Sequence, residues 1–233
     1  MTRIIIFGDL HANLEGWHAL QQAEPAPDAV FCLGDIVGYG PDPKRCLDGV
    51  RASATCAIGG RHDWAVGGSD ITPDSDLLAE SWRHGQSVLG AVDCRYLRDL
   101  PAEQTVSLAG GRFHLARLQP DNPAAETFSL ITASTAQLQA RFGCIEADVI
   151  FLGGAHVPAM RQVAGRLIVC PGSLGLPRYG VADPTFAAWE DGRLQIHHLH
   201  YHPDATIRKL ALLPLAPENT AWLQTTLRTG DRF

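Results

Sequence analysis

A short apolar run that ends in Gly-Asp constrains this chain most, because the same pattern occurs twice near the N-terminus. Ile4–Phe7 is the first such run, and Ala29–Leu33 is the second. Continuous apolar runs of this length predict strands that are buried on both faces. Between them, Asn13–Ala23 carries apolar residues at helical spacing. This succession predicts a right-handed βαβ unit and a sheet of the α/β class.

The strand and helix pattern continues further along the chain. Lys44–Ala52 predicts a helix, Thr55–Ile58 a third buried strand, and residues 74–98 a long helix with one buried stripe. Beyond Pro101 the chain carries short runs in which apolar and polar residues alternate, and these runs predict a second sheet. These runs are Gln104–Leu108, Arg112–Leu115, Val149–Leu152, Arg166–Cys170, Phe186–Glu190 and Arg193–Tyr201. The tail from Leu210 is too weakly patterned for an assignment.

Composition and charge limit the function classes. The net charge of -6 disfavours a broad nucleic-acid surface, which would neutralise many phosphates. The six cysteines contain no CxxC pair, which favours a reducing compartment. The first apolar run is too short for a signal-peptide core, and no run approaches the length of a membrane span. We therefore expect one cytoplasmic domain over residues 1–233 with no membrane association, while the oligomeric state stays open.

Four motifs at predicted strand ends, and one histidine within a later strand, carry residue types that bind metals. Gly8-Asp9-Leu10-His11 places a carboxylate and an imidazole two residues apart, and both are ligands of transition metals. The other candidates are Asp35 in GDIVGYGPDP, His62 in GRHD, the lone His114, and His156 in GGAH. Because the carboxyl ends of parallel strands meet at one edge of a sheet, we expect the ends of the first three strands to converge and Asp9 and Asp35 to reach one shared ion.

The order of these motifs resembles that of the calcineurin-like metallophosphoesterases, especially their small bacterial and archaeal phosphodiesterase branch. The turn Pro171–Gly175 (PGSLG) is also similar to a PGSxG turn of that family, so the resemblance extends over residues 3–203. It implies a four-layer αββα sandwich in which mixed sheets are flanked by helices. It also implies a two-metal site at the strand ends.

The resemblance implies a complete first metal site and an incomplete second one. The first ion would be held by four residues that are all present: Asp9, His11, Asp35 and His156. The second would share Asp35 and take His114, but Arg61 replaces the Asn of GNHD and Gly154 replaces the first His of GHxH. We therefore expect one divalent transition-metal ion (Mn, Fe, Zn or Ni) rather than two. We hypothesise that the Arg61 guanidinium occupies the second-ion position, in space vacated at Gly154.

The implied function is a metal-dependent phosphoesterase that hydrolyses a small phosphodiester, or a phosphomonoester such as a nucleotide, by metal-bound water. His62 would protonate the leaving oxygen, and Arg61 would bind the phosphate. The motif GDIVGYG lacks the Asp-Arg pair of the protein-phosphatase form GDxVDRG, which disfavours phosphoprotein substrates.

Several alternatives remain open at this point. The departures at Arg61 and Gly154 also fit a catalytically weak or inactive protein that kept the fold for binding or regulation. His114 fits an ordinary buried histidine as well as a residual site residue. Tyr39, Asp42 and Arg178 fit either a substrate cleft or surface loops.

Overall fold

The protein is described here from a computed structural model that covers residues 2–117 and 130–231. Ten strands occur in these ranges: β1 (Arg3–Phe7), β2 (Ala29–Cys32), β3 (Cys56–Ala57), β4 (Gln104–Leu108), β5 (Gly111–Arg117), β6 (Val149–Gly153), β7 (Pro158–Val163), β8 (Arg166–Pro171), β9 (Thr185–Glu190) and β10 (Arg193–His198). The helices within them are α1 (Leu14–Ala23), α2 (Pro43–Ser53), α3 (Arg61–Val66), α4 (Asp76–Val88), α5 (Ala91–Asp99), α6 (Thr135–Phe142), α7 (Asp204–Leu210) and α8 (Pro217–Thr229).

The strands form two five-stranded mixed sheets. The first has the order β10-β9-β1-β2-β3, and β1, β2 and β3 are parallel. The second has the order β4-β5-β6-β8-β7, and β5, β6 and β8 are parallel. The central strands of both sheets thus end where the loops with the candidate ligands begin.

The two sheets pack face to face and carry helices on their outer sides. In β1, Ile4 and Ile6 pack against Phe113 and Phe151 of the second sheet, whereas Phe7 faces the helices. Side chains alternate along a strand, so a strand buried on both faces must be apolar throughout. This arrangement confirms the predicted α/β fold with four layers, in which mixed sheets are flanked by helices.

Two expectations about individual elements were wrong. The single helix over residues 74–98 is two helices, α4 and α5, because the backbone at Gly90 is extended and the Asp93 carboxylate caps the second one. The strands β9 and β10 belong to the first sheet rather than the second, since Trp189 of β9 lies opposite Ile4 of β1 in antiparallel register. Local patterns predict a strand but do not predict its partner.

The tail that the sequence left unassigned forms α7 and α8. Lys209 of α7 binds Glu15 of α1 and Asp42 of the loop after β2, at 2.6 and 2.7 Å. Thr206 donates a hydrogen bond to Asn13, which precedes α1. The C-terminal helices therefore brace the two loops that carry the candidate site. Within the described ranges, none of the helices combines the length and apolar character that crossing a bilayer requires.

Candidate metal centre

The candidate site lies at the edge where the parallel strands of both sheets end. The loops after β1, β2 and β6 supply four buried residues to it: Asp9, His11, Asp35 and His156. His62 enters from the first turn of α3 and is also buried. The structure thus brings together five of the side chains that the motifs singled out.

Four of these residues have left-handed backbone conformations. The φ angles are 53° at Asp9, 48° at His11, 51° at Asp35 and 58° at His156. Residues other than glycine adopt this region rarely, and each costs about 1 kcal/mol or more. Hydrogen bonds between loops hold it: the His11 amide donates to the Asp35 carbonyl, and the Asp9 amide donates to Gly34. The fold therefore stabilises a backbone that aims these side chains at one another.

Asp9, His11 and His156 have the geometry of a site for one ion. Their ligand atoms all lie within 4.8 Å of one another. The Nε2 atoms of His11 and His156 are 3.1 Å apart, and Nε2 of His156 is 3.9 Å from Oδ1 of Asp9. Ligands about 2.1 Å from a tetrahedral zinc ion are about 3.4 Å apart. These three residues therefore fit an ion of the zinc type.

The protonation states also suit an ion. Nδ1 of His156 lies 2.6 Å from the Leu176 carbonyl, so this nitrogen carries the proton and Nε2 presents a lone pair. Burial lowers the pKa of His156 and of His11 well below the ordinary value, so both imidazoles are neutral. Burial also raises the pKa of Asp9 to about 6, because removal from water disfavours the charged carboxylate, although the nearby Arg117 opposes this shift.

Arg117, the last residue of β5, lies between the two carboxylates of the site. Its Nη2 is 3.0 Å from Oδ1 of Asp9 and in close contact with Oδ2 of Asp35, and its Nη1 donates to the Leu33 carbonyl at 2.6 Å. Burial has the largest single effect and opposes ionisation of Asp35, but Arg117 and His62 together outweigh it and lower the pKa of this carboxyl. A permanent cation thus stands beside the three-residue site.

The prediction that Arg61 fills the second-ion position is wrong. Its guanidinium lies at the rim, where it binds the Asp74 carboxylate at 2.7 Å and the Thr72 carbonyl at 3.1 Å. Arg117 fills the space beside Gly154 instead. A Cβ atom at this glycine would lie 3.2 Å from Nη2 of Arg117, and the φ of +102° also disfavours a side chain there.

His114 does not join the site, contrary to its assignment as a metal ligand. In β5, Phe113 and Leu115 face the core between the sheets, so His114 faces the opposite side. There its Nδ1 lies 2.9 Å from the Thr105 hydroxyl. The same alternation places Arg117 on the side of Phe113 and Leu115. Arg117 was not identified from the sequence, although the alternation of side chains along β5 already placed it on the same face as Phe113 and Leu115.

His62 is oriented as a hydrogen-bond donor. Trp82 donates its indole N–H to Nδ1 of His62 at 3.0 Å, so the neutral imidazole carries its proton on Nε2. Burial lowers the pKa of His62 to about 4. The His62 amide also donates to Oδ1 of Asp35 at 3.0 Å. Gly38 allows this packing, because a Cβ atom there would collide with the His62 ring.

Asp63, the residue after His62, holds two site loops together. Its Oδ1 accepts from the amides of Ile36 and Val37 at 2.8 and 3.1 Å, and its Oδ2 accepts from the Gly60 amide at 3.0 Å. All of these contacts are buried. Asp63 therefore fixes the loop of Asp35 against the loop of His62.

Replacing Asp63 with Ala is expected to lower the free energy of unfolding by about 2–4 kcal/mol, because three buried amides lose their acceptor. Asp63→Asn keeps one carbonyl oxygen and should cost less. Urea denaturation of metal-free protein measures both. The matched control is Asp48→Ala, since Asp48 pairs with Lys44 at the surface and such pairs contribute at most about 1 kcal/mol. Equal effects of Asp63→Ala and the control would contradict this role.

A cleft of about 600 Å³ opens over the site. Its lining includes Asp35, His62, Arg117 and His156 on the site side. Three arginines line this cleft: Arg61, Arg117 and Arg178. The arrangement offers an ion site, a hydrogen-bond donor and three arginines around one volume that also contains Asp70 and Asp74. These donors can bind an anionic group.

Comparison with known proteins agrees with this arrangement. A model of the calcineurin-like phosphoesterase superfamily domain matches residues 2–190. The uncharacterized protein MJ0912 of Methanocaldococcus jannaschii is 25% identical over 222 residues, which cover 86% of this chain and 88% of that protein. A metallophosphoesterase from Sphaerobacter thermophilus superposes with a TM-score of 0.80 and 26% identity, covering 97% of this chain and 99% of that one.

Hypothetical protein PH1004 from Pyrococcus horikoshii OT3 shares the fold, with a TM-score of 0.82, 19% identity and full coverage of both chains. The match to the family model extends over most of the chain, from β1 to the end of β9. It includes every loop that contributes a residue to the site. The chain therefore belongs to the calcineurin-like phosphoesterase superfamily.

Proposed function

We propose that this protein is a phosphoesterase that uses one divalent ion, with Arg117 supplying the second positive charge. The convergence of Asp9, His11 and His156 beside a guanidinium that pairs with Asp9 and Asp35 carries this proposal. The family uses divalent metals, and the three residues fit one. Within the described residues, Arg117 takes up the space between the Asp9 and Asp35 carboxylates. His11, Asp35 and His62 form a further group of buried ligand atoms within 4.8 Å of one another, but Nε2 of His62 carries a proton and offers no lone pair to an ion.

A divalent ion bound there would supply Lewis-acid activation of water and of a phosphoryl oxygen. The protein's own contribution is the charge and orientation around it. Arg117 holds a permanent positive charge at the Asp35 side, where it stabilises negative charge that develops on the phosphoryl group. Asp35 keeps its position because it accepts the His62 amide on the other oxygen.

His62 supplies a hydrogen-bond donor for the leaving group. Its Nε2–H faces the site because Trp82 occupies Nδ1, and the ring lines the cleft. This N–H group would donate a hydrogen bond to the leaving oxygen and stabilise the negative charge that develops there as the ester bond breaks, while the proton of the released alcohol comes from water. Arg61 remains a candidate phosphate contact at the cleft rim, although it shares its charge with Asp74.

The proposed substrate is a small phosphodiester or a phosphomonoester, such as a nucleotide. A cleft of about 600 Å³ suits one small molecule, since such sites span about 300–1,000 Å³. The net charge of -6 opposes binding of a long polyanion along the surface. In the cleft, Arg61, Arg117 and Arg178 supply local positive groups, beside the carboxylates of Asp35, Asp70 and Asp74.

Turnover of bis-p-nitrophenyl phosphate and p-nitrophenyl phosphate tests the proposal. Protein is stripped of metal and reloaded with Mn, Ni, Zn or Mg. We expect turnover with at least one transition metal and a loss of about 10²- to 10³-fold in kcat for His62→Ala, because one hydrogen-bond donor to the developing negative charge is removed. His18→Ala, at an exposed position of α1, is the matched control and should keep full activity.

The alternative is an inactive binding or regulatory protein. The pairing of Arg117 with both carboxylates favours it, because this pairing satisfies the site in the absence of an ion. If no metal gives turnover above that of His62→Ala, the enzyme proposal is wrong and this alternative replaces it.

A further inference from the structure

Arg178 packs against two neighbouring aromatic rings beside the metal centre. It lies in the loop after β8, where its amide donates to the His156 carbonyl at 3.2 Å. Its guanidinium carbon lies 5.3 Å from the centre of the Tyr39 ring and 5.1 Å from that of Trp222. Stacking of this kind orients a guanidinium and leaves its N–H groups at the edge.

The N–H groups of Arg178 have no acceptor among the residues that the structure describes. Nε and Nη2 are buried and lack a hydrogen-bond partner. Over the same ranges, none of the carboxylates comes within 4.0 Å of its guanidinium. Arg61 and Arg117, in contrast, each pair with a carboxylate. Within the described residues, Arg178 is thus the cleft arginine with buried donors that lack a partner, and such donors call for an explanation, for which a bound anion is one candidate.

The position of Arg178 limits what that ligand can be. Tyr39, on which the guanidinium stacks, also contacts the rings of His11 and His62, with centres 4.9 and 4.5 Å apart. Arg178 therefore lies one aromatic ring away from the metal residues and lines the same cleft. A phosphoryl group bound in this cleft can therefore contact Arg178 and the metal residues together.

We propose that Arg178 binds the non-bridging oxygens of the substrate's phosphoryl group through two parallel N–H···O bonds. Planar guanidinium matches two oxygens of a tetrahedral phosphate, and its charge strengthens both bonds. The inference rests on the proposed function for the identity of the substrate, but binding of phosphate itself does not require turnover. Tyr39 and Trp222 fix the guanidinium, so the site is formed before the anion arrives.

Inorganic phosphate tests this inference on metal-loaded, full-length protein by calorimetry. Trp222 fluorescence gives a second signal, with Trp222→Phe as its control, since Phe keeps a ring against Arg178. We expect Arg178→Ala to raise the Kd for phosphate about 10- to 100-fold, as for loss of charged hydrogen bonds, with unchanged metal content. Arg178→Lys should recover part of the affinity, because it restores charge without the planar fork.

Arg228→Ala is the matched control, because Arg228 is exposed near the end of α8, the helix that carries Trp222. It should bind phosphate as the unchanged protein does. Wild-type affinity in Arg178→Ala would overturn the inference, and so would the absence of phosphate binding to the unchanged protein. Arg178-dependent binding without turnover would instead sustain this inference while the proposed enzyme function fails.

Discussion

Asp9→Asn is expected to remove the bound metal and to lower kcat by about 10³-fold or more. Asn keeps the shape of the side chain and can still accept the Gly154 amide, which donates to Oδ2 of Asp9 at 2.9 Å. It lacks the negative charge, so the two neutral imidazoles of His11 and His156 remain without an anionic partner for the ion. A metal contributes several kcal/mol to such reactions, and each 1.36 kcal/mol is tenfold in rate.

Metal analysis after reloading and dialysis measures the first effect, and turnover measures the second. We expect one ion per chain in the unchanged protein and less than a tenth of that in Asp9→Asn. Asp48→Asn, at an exposed position of α2, is the matched control. Full metal content in Asp9→Asn would show that the ion, if bound, does not use this carboxylate.

Arg117→Met is expected to lower the free energy of unfolding of the metal-free protein by about 3–5 kcal/mol. Met retains much of the buried volume but leaves Asp9 and Asp35 without a cation, and breaking a buried ion pair on one side costs about this much. Divalent metal should restore most of the lost stability. The number of ions per chain should rise above one, because the space between the carboxylates becomes open to a second cation.

Urea denaturation with and without added metal, together with metal analysis, checks both parts. Arg112→Met is a matched control on the same strand, since Arg112 pairs with Glu146 at the surface and should change stability by less than about 1 kcal/mol. A loss of stability that metal does not reduce, with one ion still bound, would contradict the view that Arg117 replaces a cation.

The sequence predicted the parts of the site that local patterns encode. Asp9 and Asp35 follow apolar strands that are adjacent in the chain, and a βαβ unit makes such strands parallel neighbours. His156 follows β6 in the same manner, although that strand lies in the other sheet. Strand-end position alone predicted that Asp9 and Asp35 lie close together, and the family resemblance added His156, whereas His114 faces away from the site.

The arginine that lies in the site could not be identified from local patterns in the same way. Arg61 lies within a motif, and its backbone is close to the site, but its side chain finds Asp74 at the rim. Arg117 lies in no motif. It reaches Asp35 and the Leu33 carbonyl only because β5 of the second sheet packs near β2 of the first, and these strands are far apart in the sequence. The direction of a side chain at a strand end depends on which face of the sheet that position occupies and on the neighbouring side chains. The spacing of motifs specifies neither.

The left-handed backbone at Asp9, His11, Asp35 and His156 has a consequence for how an ion would be taken up. Hydrogen bonds between loops already hold these residues in conformations that a free chain rarely visits. The conformational entropy of assembling the ligands is thus lost during folding and not when the ion arrives. Ion uptake by this protein would be a docking step into a preformed site, in contrast to small metal domains that fold only when the metal binds.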